Sequence, residues 1–261
     1  MTLVRYDVNI SILFTELEPQ RRPDAAAAAG FAGVESWWPF DGVPGDREVE
    51  RFVRSIADAG VELVSLNVPH GDLAAGERGL AAFADRAAEF RDGVEVAAGI
   101  AARLGCTRFN VLPGNRSGAS REVLLDNLDF AARHLAGTLL LEPLSGAPDY
   151  PLQRAADALA LADDARASGT AGIALLADVY HLGVNGDDVD ALLASPLRER
   201  IGHVQVADAP GRHEPGTGTL GVTAWLDRLA ASGYDGWVGL EYVPTGSSVD
   251  SFHWLPGRQP E

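Results

Sequence analysis

Ile201-Gly202-His203-Val204-Gln205-Val206-Ala207-Asp208-Ala209-Pro210-Gly211-Arg212-His213-Glu214-Pro215-Gly216-Thr217-Gly218 is the stretch on which the reading of this chain turns. Alternation over its first residues predicts a short strand with His203 and Gln205 on one face. The prolines and glycines that follow force a loop carrying Asp208, Arg212, His213 and Glu214. Polar groups on one strand face need water or a metal beside them. Alone, GRHEPGTG also reads as an ordinary surface turn, so what decides is whether the other strands end in the same way.

Working outward, apolar strand-like runs alternate with amphipathic helical segments from end to end, with no composition shift to mark a linker. Strands are predicted at Val4 to Ile10, Gly33 to Ser36, Val61 to Asn67, Arg108 to Leu112, Thr138 to Glu142, Gly172 to Asp178, His203 to Val206 and Trp237 to Glu241. Helices are predicted at Asp46 to Ala59, Leu80 to Leu104, Arg121 to Ala136, Arg154 to Ala167, Val189 to Ser195 and Val222 to Ser232. Eight strand and helix units in 261 residues suit a closed (β/α)8 TIM barrel of the α/β class, read as one domain over residues 1–261. The competitor is an open doubly wound sheet. Val8-Asn9-Ile10-Ser11 lacks the glycines of its phosphate-binding fingerprint.

In such a barrel the active site lies at the C-terminal ends of the strands. Four consecutive predicted strands end there on an oxygen donor: Leu141 is followed by Glu142, Ala177 by Asp178, Val204 by Gln205 and Leu240 by Glu241. Taken singly, each reads better as a helix N-cap or a solvated loop charge, and only the joint pattern points to a site. Gathered round one point, the carboxylates repel one another unless a cation or a proton sits between them. Oxygen-only ligation by Glu142, Asp178, Gln205 and Glu241 suits Mg²⁺ or Mn²⁺.

Composition narrows the classes. With 37 acidic against 21 basic residues, the net charge of −16 argues against binding nucleic acid or an anionic membrane through a general basic surface. All the basic residues are arginine, so a lysine Schiff base is excluded. The single cysteine, Cys106, forms no intrachain disulfide or thiolate cluster and reads as a buried, inert thiol suited to a reducing cytoplasm. No secretory leader or membrane-length apolar run is present, so a soluble, cytoplasmic protein is expected.

Gly202-His203-Val204-Gln205-Val206-Ala207-Asp208, with Arg212 and Glu214-Pro215-Gly216-Thr217-Gly218, resembles the seventh strand and loop of the hydroxypyruvate isomerase family, within the xylose-isomerase-like TIM barrels. The likeness extends through Asn9 to Glu16, Leu66 to Pro69, Gly71 to Gly79, Glu89 to Gly93, Leu141 to Leu144, Asp178 to His181 and Trp237 to Tyr242. It implies the ligand set Glu142, Asp178, Gln205 and Glu241. One departure stands out: Ser145 follows Glu142-Pro143-Leu144, where the family often has asparagine.

The implied reaction interconverts hydroxypyruvate and 2-hydroxy-3-oxopropanoate through a metal-stabilised enediolate. Glu142 and Glu241 act as its acid/base pair, each serving one of two adjacent carbons. His181 would hydrogen-bond a substrate oxygen or orient Asp178, and Arg212 would hold the carboxylate of a 2-oxo acid. His70 and Arg78 lie after the third strand on the same barrel face, Arg78 as a second anion clamp or as a partner of Glu77. Trp37, Trp38 and Phe40 would wall the pocket or form a contact in a homo-oligomer. The rivals are a 2-oxo-tetronate isomerase or ketose 3-epimerase on the same constellation, a non-catalytic sugar-acid-binding barrel, and a DNA-repair barrel. The last would call for more histidine ligands and a basic rim.

Overall fold

The pairing of β8 (Trp237–Leu240) with β1 (Arg5–Asn9), from Arg5 opposite Trp237 to Val8 opposite Leu240, closes the sheet on itself. Between them β2 (Gly33–Ser36), β3 (Glu62–Asn67), β4 (Arg108–Asn110), β5 (Thr138–Leu141), β6 (Ile173–Asp178) and β7 (Ile201–Val206) pair in chain order, all parallel. The closed (β/α)8 barrel is therefore present as read, and the open-sheet alternative falls. The structure is a computed structural model that describes residues 4–194 and 196–257.

Seven helices lie between the strands among the described residues: α1 (Arg22–Ala28), α2 (Asp46–Ala59), α3 (Ala87–Leu104), α4 (Arg121–His134), α5 (Ala155–Ala167), α6 (Val179–Val184) and α7 (Val222–Ala231). Their ends follow local chemistry. Glu48 reaches back to accept from the Gly45 N–H at 3.0 Å at the start of α2, and Gly60, at φ 70°, ends it. Ser120 caps α4 through the Val123 N–H at 3.3 Å. After β8 a 3-10 turn, Asp250–Phe252, takes the place of the last helix among the described residues, with Phe252 packed on Phe14 and Phe31. No described helix is long and apolar enough to cross a membrane.

Three segments differ from expectation. The helix expected over Val189 to Ser195 is a single 3-10 turn, Ala191–Leu193, and Ser195 lies outside the described residues. The Asp188 carboxylate holds the Asp190 and Ala191 N–H groups at 3.1 Å, and Pro196 disfavours helix at the position before it. The helix expected from Leu80 begins at Ala87, because Ala82 donates to Pro113 O at 2.9 Å and accepts from Ser120 N at 2.8 Å. The short helix α6 was not among the expected segments.

The barrel interior is polar. Gln205 on β7 donates to Glu35 on β2 at 2.8 Å, and His203 meets the same carboxylate at 2.8 Å. β7 and β2 are not neighbours, so these bonds cross the inside of the barrel. Asp7, Asn9 and Asn110 are buried with them, while Val8, Val34, Phe109, Leu139 and Val204 belong to the hydrophobic core.

Candidate active site

At the C-terminal ends of the strands lies a cavity of about 570 Å³, lined by Glu142, Glu241, His181, Arg212, Arg78 and Trp37 among others. Asp178 and Gln205 are buried behind it. They sit side by side in register on β6 and β7, so the four predicted oxygen donors come together on consecutive strands.

Each carboxylate is pinned by a neutral donor. Asn110 Nδ2 donates to Glu142 Oε2 at 2.6 Å, and Asn9 Nδ2 donates to Glu241 Oε2 at 2.7 Å. Gln205 Nε2 donates to the same Glu241 oxygen at 2.6 Å. Asp178 serves two tasks: Oδ1 accepts from the Tyr180 N–H at 2.8 Å as the N-cap of α6, and Oδ2 faces the site. The cap reading of a carboxylate after a strand thus holds at this residue, with Oδ2 left toward His181 and Arg212.

Arg212 reaches in from the loop after β7, bonds Glu241 Oε1 and lies 3.5 Å from Asp178 Oδ2. Its backbone takes the left-handed φ of 58°, a conformation unfavourable for a side-chain-bearing residue. The loop holds it there. Asp208 accepts from the N–H groups of Ala209, Gly216 and Leu220 at 2.9, 2.9 and 3.0 Å, and Glu214 bonds the Thr245 N–H at 3.0 Å. A Cβ on Gly218 would meet Ala209 O at 2.1 Å, so the Glu-Pro-Gly-Thr-Gly run serves to close this loop.

Electrostatics follow from burial. Desolvation, then the charges of Glu241 and Asp178, push the Glu142 carboxyl well above the usual carboxylate range. Desolvation raises Glu241 to about 7, with Arg212 acting against it, and raises Asp178 as well. Burial disfavours charge on Arg212 too, but Glu241, Asp178 and Glu142 together hold it ionised. Burial, then the Arg212 charge, push His181 well below its usual value, so its ring is neutral. The Ser145 N–H donates to His181 Nδ1 at 3.0 Å, which leaves the proton on Nε2, 3.6 Å from Asp178 Oδ2 and 4.0 Å from Glu142 Oε1. The backbone N–H at position 145, which does not depend on the side chain there, thus sets the His181 tautomer.

The other predicted residues separate. Arg78 lines the cavity, and its Nη1 donates to Leu73 O at 3.1 Å and Glu77 O at 2.7 Å. Glu77 pairs with Arg86 at 3.1 Å instead of with Arg78. His70 lines a neighbouring cavity of about 620 Å³, together with Trp37 and Trp38. Its Nδ1 faces Gly71 O at 2.9 Å and its buried Nε2 has no partner. Trp38 is buried, with Nε1 donating to Gly42 O at 2.9 Å and its ring packed edge-on to Phe40, so it is a wall residue.

Two buried groups have ligand atoms spaced to hold a metal ion, within 4.8 Å of one another: Glu142, Asp178 and His181, and Asp7, Glu35 and His203. Gln205 Oε1 is buried with no hydrogen-bond partner. A carbonyl oxygen left bare beside buried carboxylates fits a hard cation, whereas His181 presents an N–H. Asn9, Asn110 and Glu35 were missed as supports in the sequence. The available signal was a polar residue at an inward position of an otherwise apolar strand.

A family model described as xylose isomerase-like TIM barrel matches residues 23–257. A Streptomyces coelicolor protein provisionally named hydroxypyruvate isomerase is 44% identical over 97% of this chain and 95% of its own length. The hydroxypyruvate isomerase of Escherichia coli is 35% identical over 97% of this chain and 98% of its own. The chain belongs to the hydroxypyruvate isomerase family. This family's similarity reaches a 2-oxo-tetronate isomerase of Cupriavidus necator, 34% identical over 96% of this chain and 97% of that protein. Among solved structures, one from Brucella melitensis described as AP endonuclease, family 2 superposes with a TM-score of 0.87 at 33% identity, covering 98% of this chain and all of that one.

Proposed function

We propose that this chain is an isomerase of short 2-oxo acids that interconverts hydroxypyruvate and 2-hydroxy-3-oxopropanoate. The observation that carries this reading is the pair Glu142 and Glu241, both buried, both lining one cavity and each held by a buried asparagine amide at the end of a strand. In the forward direction one carboxylate removes a proton from C3, the hydroxyl-bearing carbon. Electrons shift into an enediol(ate), the hydroxyl proton passes between the two oxygens, and a proton is delivered to C2. Atoms and charge balance without a redox partner.

Glu142, Asp178, Gln205 and Glu241 would hold a Mg²⁺ or Mn²⁺ ion, and the bare Gln205 Oε1 supports that assignment. Bound there, the cation supplies Lewis acidity that offsets the charge developing on substrate oxygen. The neutral His181 presents its Nε2 proton beside Asp178 and Glu142, as a hydrogen-bond donor to a substrate oxygen. Arg78, which has no carboxylate partner among the described residues, is the stronger candidate for the substrate's carboxylate, since Arg212 is already engaged by Glu241 and Asp178. One domain, with this small acid as its partner, is the simplest organisation consistent with the family match over residues 23–257.

A 2-oxo-tetronate isomerase is the second reading, favoured by the similarity to the Cupriavidus necator enzyme and by a cavity of about 570 Å³ that admits a longer acid. Comparing kcat/KM for hydroxypyruvate and 2-oxo-tetronate separates the two. The proposal expects the three-carbon acid to be preferred. Preference for the four-carbon acid would move the assignment, and full activity of both Glu142→Gln and Glu241→Gln would remove the mechanism.

A further inference from the structure

We propose that Glu35 is a positioning residue that fixes the amide of Gln205, so that its oxygen, not its nitrogen, is offered to the cation. This rests on the reading of Gln205 as a metal ligand. A glutamine ligand has an intrinsic weakness: its amide can turn over and present N–H groups, which cannot bind a cation. Something must decide which end faces the site.

Two carboxylates do so here. Gln205 Nε2 lies 2.8 Å from Glu35 Oε1 and 2.6 Å from Glu241 Oε2. Both neighbours only accept when ionised, so the donor end of the amide must face them and Oε1 is left over, buried and unpartnered. Glu241 lines the cavity and is itself assigned to the cation, so its charge is shared. Glu35 is not among the residues lining the cavity and is buried in the barrel interior. It is therefore the one anchor of Gln205 whose charge is not drawn on by the site.

Glu35 is fixed in turn. His203 meets its second oxygen, Oε2, at 2.8 Å, so the two carboxylate oxygens serve one partner each. Asp7 lies close enough to belong to the same cluster, and neither of its oxygens has a hydrogen-bond partner among the described residues, so it does not compete for the Gln205 amide. The room for Glu35 comes from β8: a Cβ on Gly239 would stand 2.5 Å from Glu35 Oε1. The chain thus devotes a histidine, a glutamate and a glycine on three strands to the orientation of one amide.

The test is titration of the chelator-treated, full-length protein with Mn²⁺ alone, followed by the EPR signal of free Mn²⁺. Glu35→Gln keeps the shape but lets the two facing amides pair in either sense, and it should weaken Mn²⁺ binding by ~10–100-fold. The exchange Glu35→Gln/Gln205→Glu should recover most of that loss, because a carboxylate at 205 has two equivalent oxygens and can accept from the amide at 35. Gly239→Ala, which changes no ionisable group, should weaken binding in the same direction by displacing Glu35. Near-UV circular dichroism verifies that each variant is folded. Wild-type protein that binds Mn²⁺ alongside a Glu35→Gln variant of equal affinity would overturn the positioning role and leave the function standing. Wild-type protein that binds no Mn²⁺ would overturn the ligand reading, and the positioning role with it. A folded exchange variant no better than Glu35→Gln would also count against the proposal, since it keeps an oxygen facing the cation.

Discussion

Glu241→Gln in the metal-free protein should remove a pH dependence of stability that the wild type carries. Burial raises the folded-state pKa of Glu241 from 4.5 to about 7, so the folded protein keeps a proton that the unfolded chain releases. The sign follows: the wild type is penalised as pH rises, with the penalty beginning near the unfolded value and levelling off above the folded one. Linkage gives a penalty of about 1 kcal/mol at pH 5 and about 3 kcal/mol at pH 8, hence a differential loss of about 2.5 kcal/mol. The substitution also alters the contacts with Arg212, Asn9 and Gln205, but the pH-independent part of that cost cancels when the two pH profiles are subtracted. Urea unfolding of both proteins with chelator present, at pH values from about 5 to about 8, reads the difference, equivalent to roughly 5–10 °C in Tm for a chain of this size. Parallel profiles would refute the claim that this carboxylate is desolvated and protonated near neutrality.

Other consequences follow from the same geometry. Mn²⁺ should raise the Tm of the wild type more at about pH 8 than at about pH 5, since the carboxylates it meets hold protons at the lower pH; equal shifts at both would argue against binding at Glu142, Asp178 and Glu241. Ser145→Ala removes the hydroxyl 2.8 Å from His181 Nδ1 but keeps the backbone donor, so kcat should fall by no more than about tenfold, whereas His181→Ala should cost ~10²-fold or more. Arg78→Ala should raise KM for a 2-oxo acid ~10²-fold and leave Mn²⁺ affinity unchanged; a fall in Mn²⁺ affinity would place Arg78 in the ligand sphere. The Cys106 thiol, pushed up to about 12 by burial, should react with a disulfide reagent at least ~10³-fold more slowly in the folded than in the unfolded protein at pH 8, and rapid labelling of the folded form would contradict its burial.

The barrel was legible because each strand is a short apolar run that stops at a polar residue, and hydrophobicity alone carries that signal. Helix boundaries were less so. Leu80 to Phe83 are apolar enough for a helix, yet the chain spends them in a turn that bonds Pro113 and Ser120, a use that depends on the partner segment and not on local pattern. The helix misread at Val189 to Ser195 fails for a local reason, the aspartate caps at Asp188.

At the site, residues that break an apolar run could be read, and a residue inside a predicted strand only where alternation singled it out, as at Gln205. Glu142, Asp178 and Glu241 announce themselves by breaking an apolar run, whereas Asn9 and Asn110, which end β1 and β4, and Glu35 on β2 fall inside the predicted runs Val4 to Ile10, Arg108 to Leu112 and Gly33 to Ser36, where inward and outward faces are indistinguishable until the barrel closes. Arg212 lines the cavity, but its partners are the carboxylates themselves. Loop arginines reveal proximity in sequence, and only three dimensions show which charge they meet. His70 was assigned by its loop, and the loop turns it toward the neighbouring cavity.

The most direct test of the central claim is proton exchange followed by NMR, with Mg²⁺- or Mn²⁺-loaded protein incubated with hydroxypyruvate in D₂O. The account predicts metal-dependent deuterium at C3 of recovered hydroxypyruvate and formation of 2-hydroxy-3-oxopropanoate, with both lost in Glu142→Gln and Glu241→Gln. Exchange confined to neutral ketoses, or undiminished exchange in either variant, would contradict it.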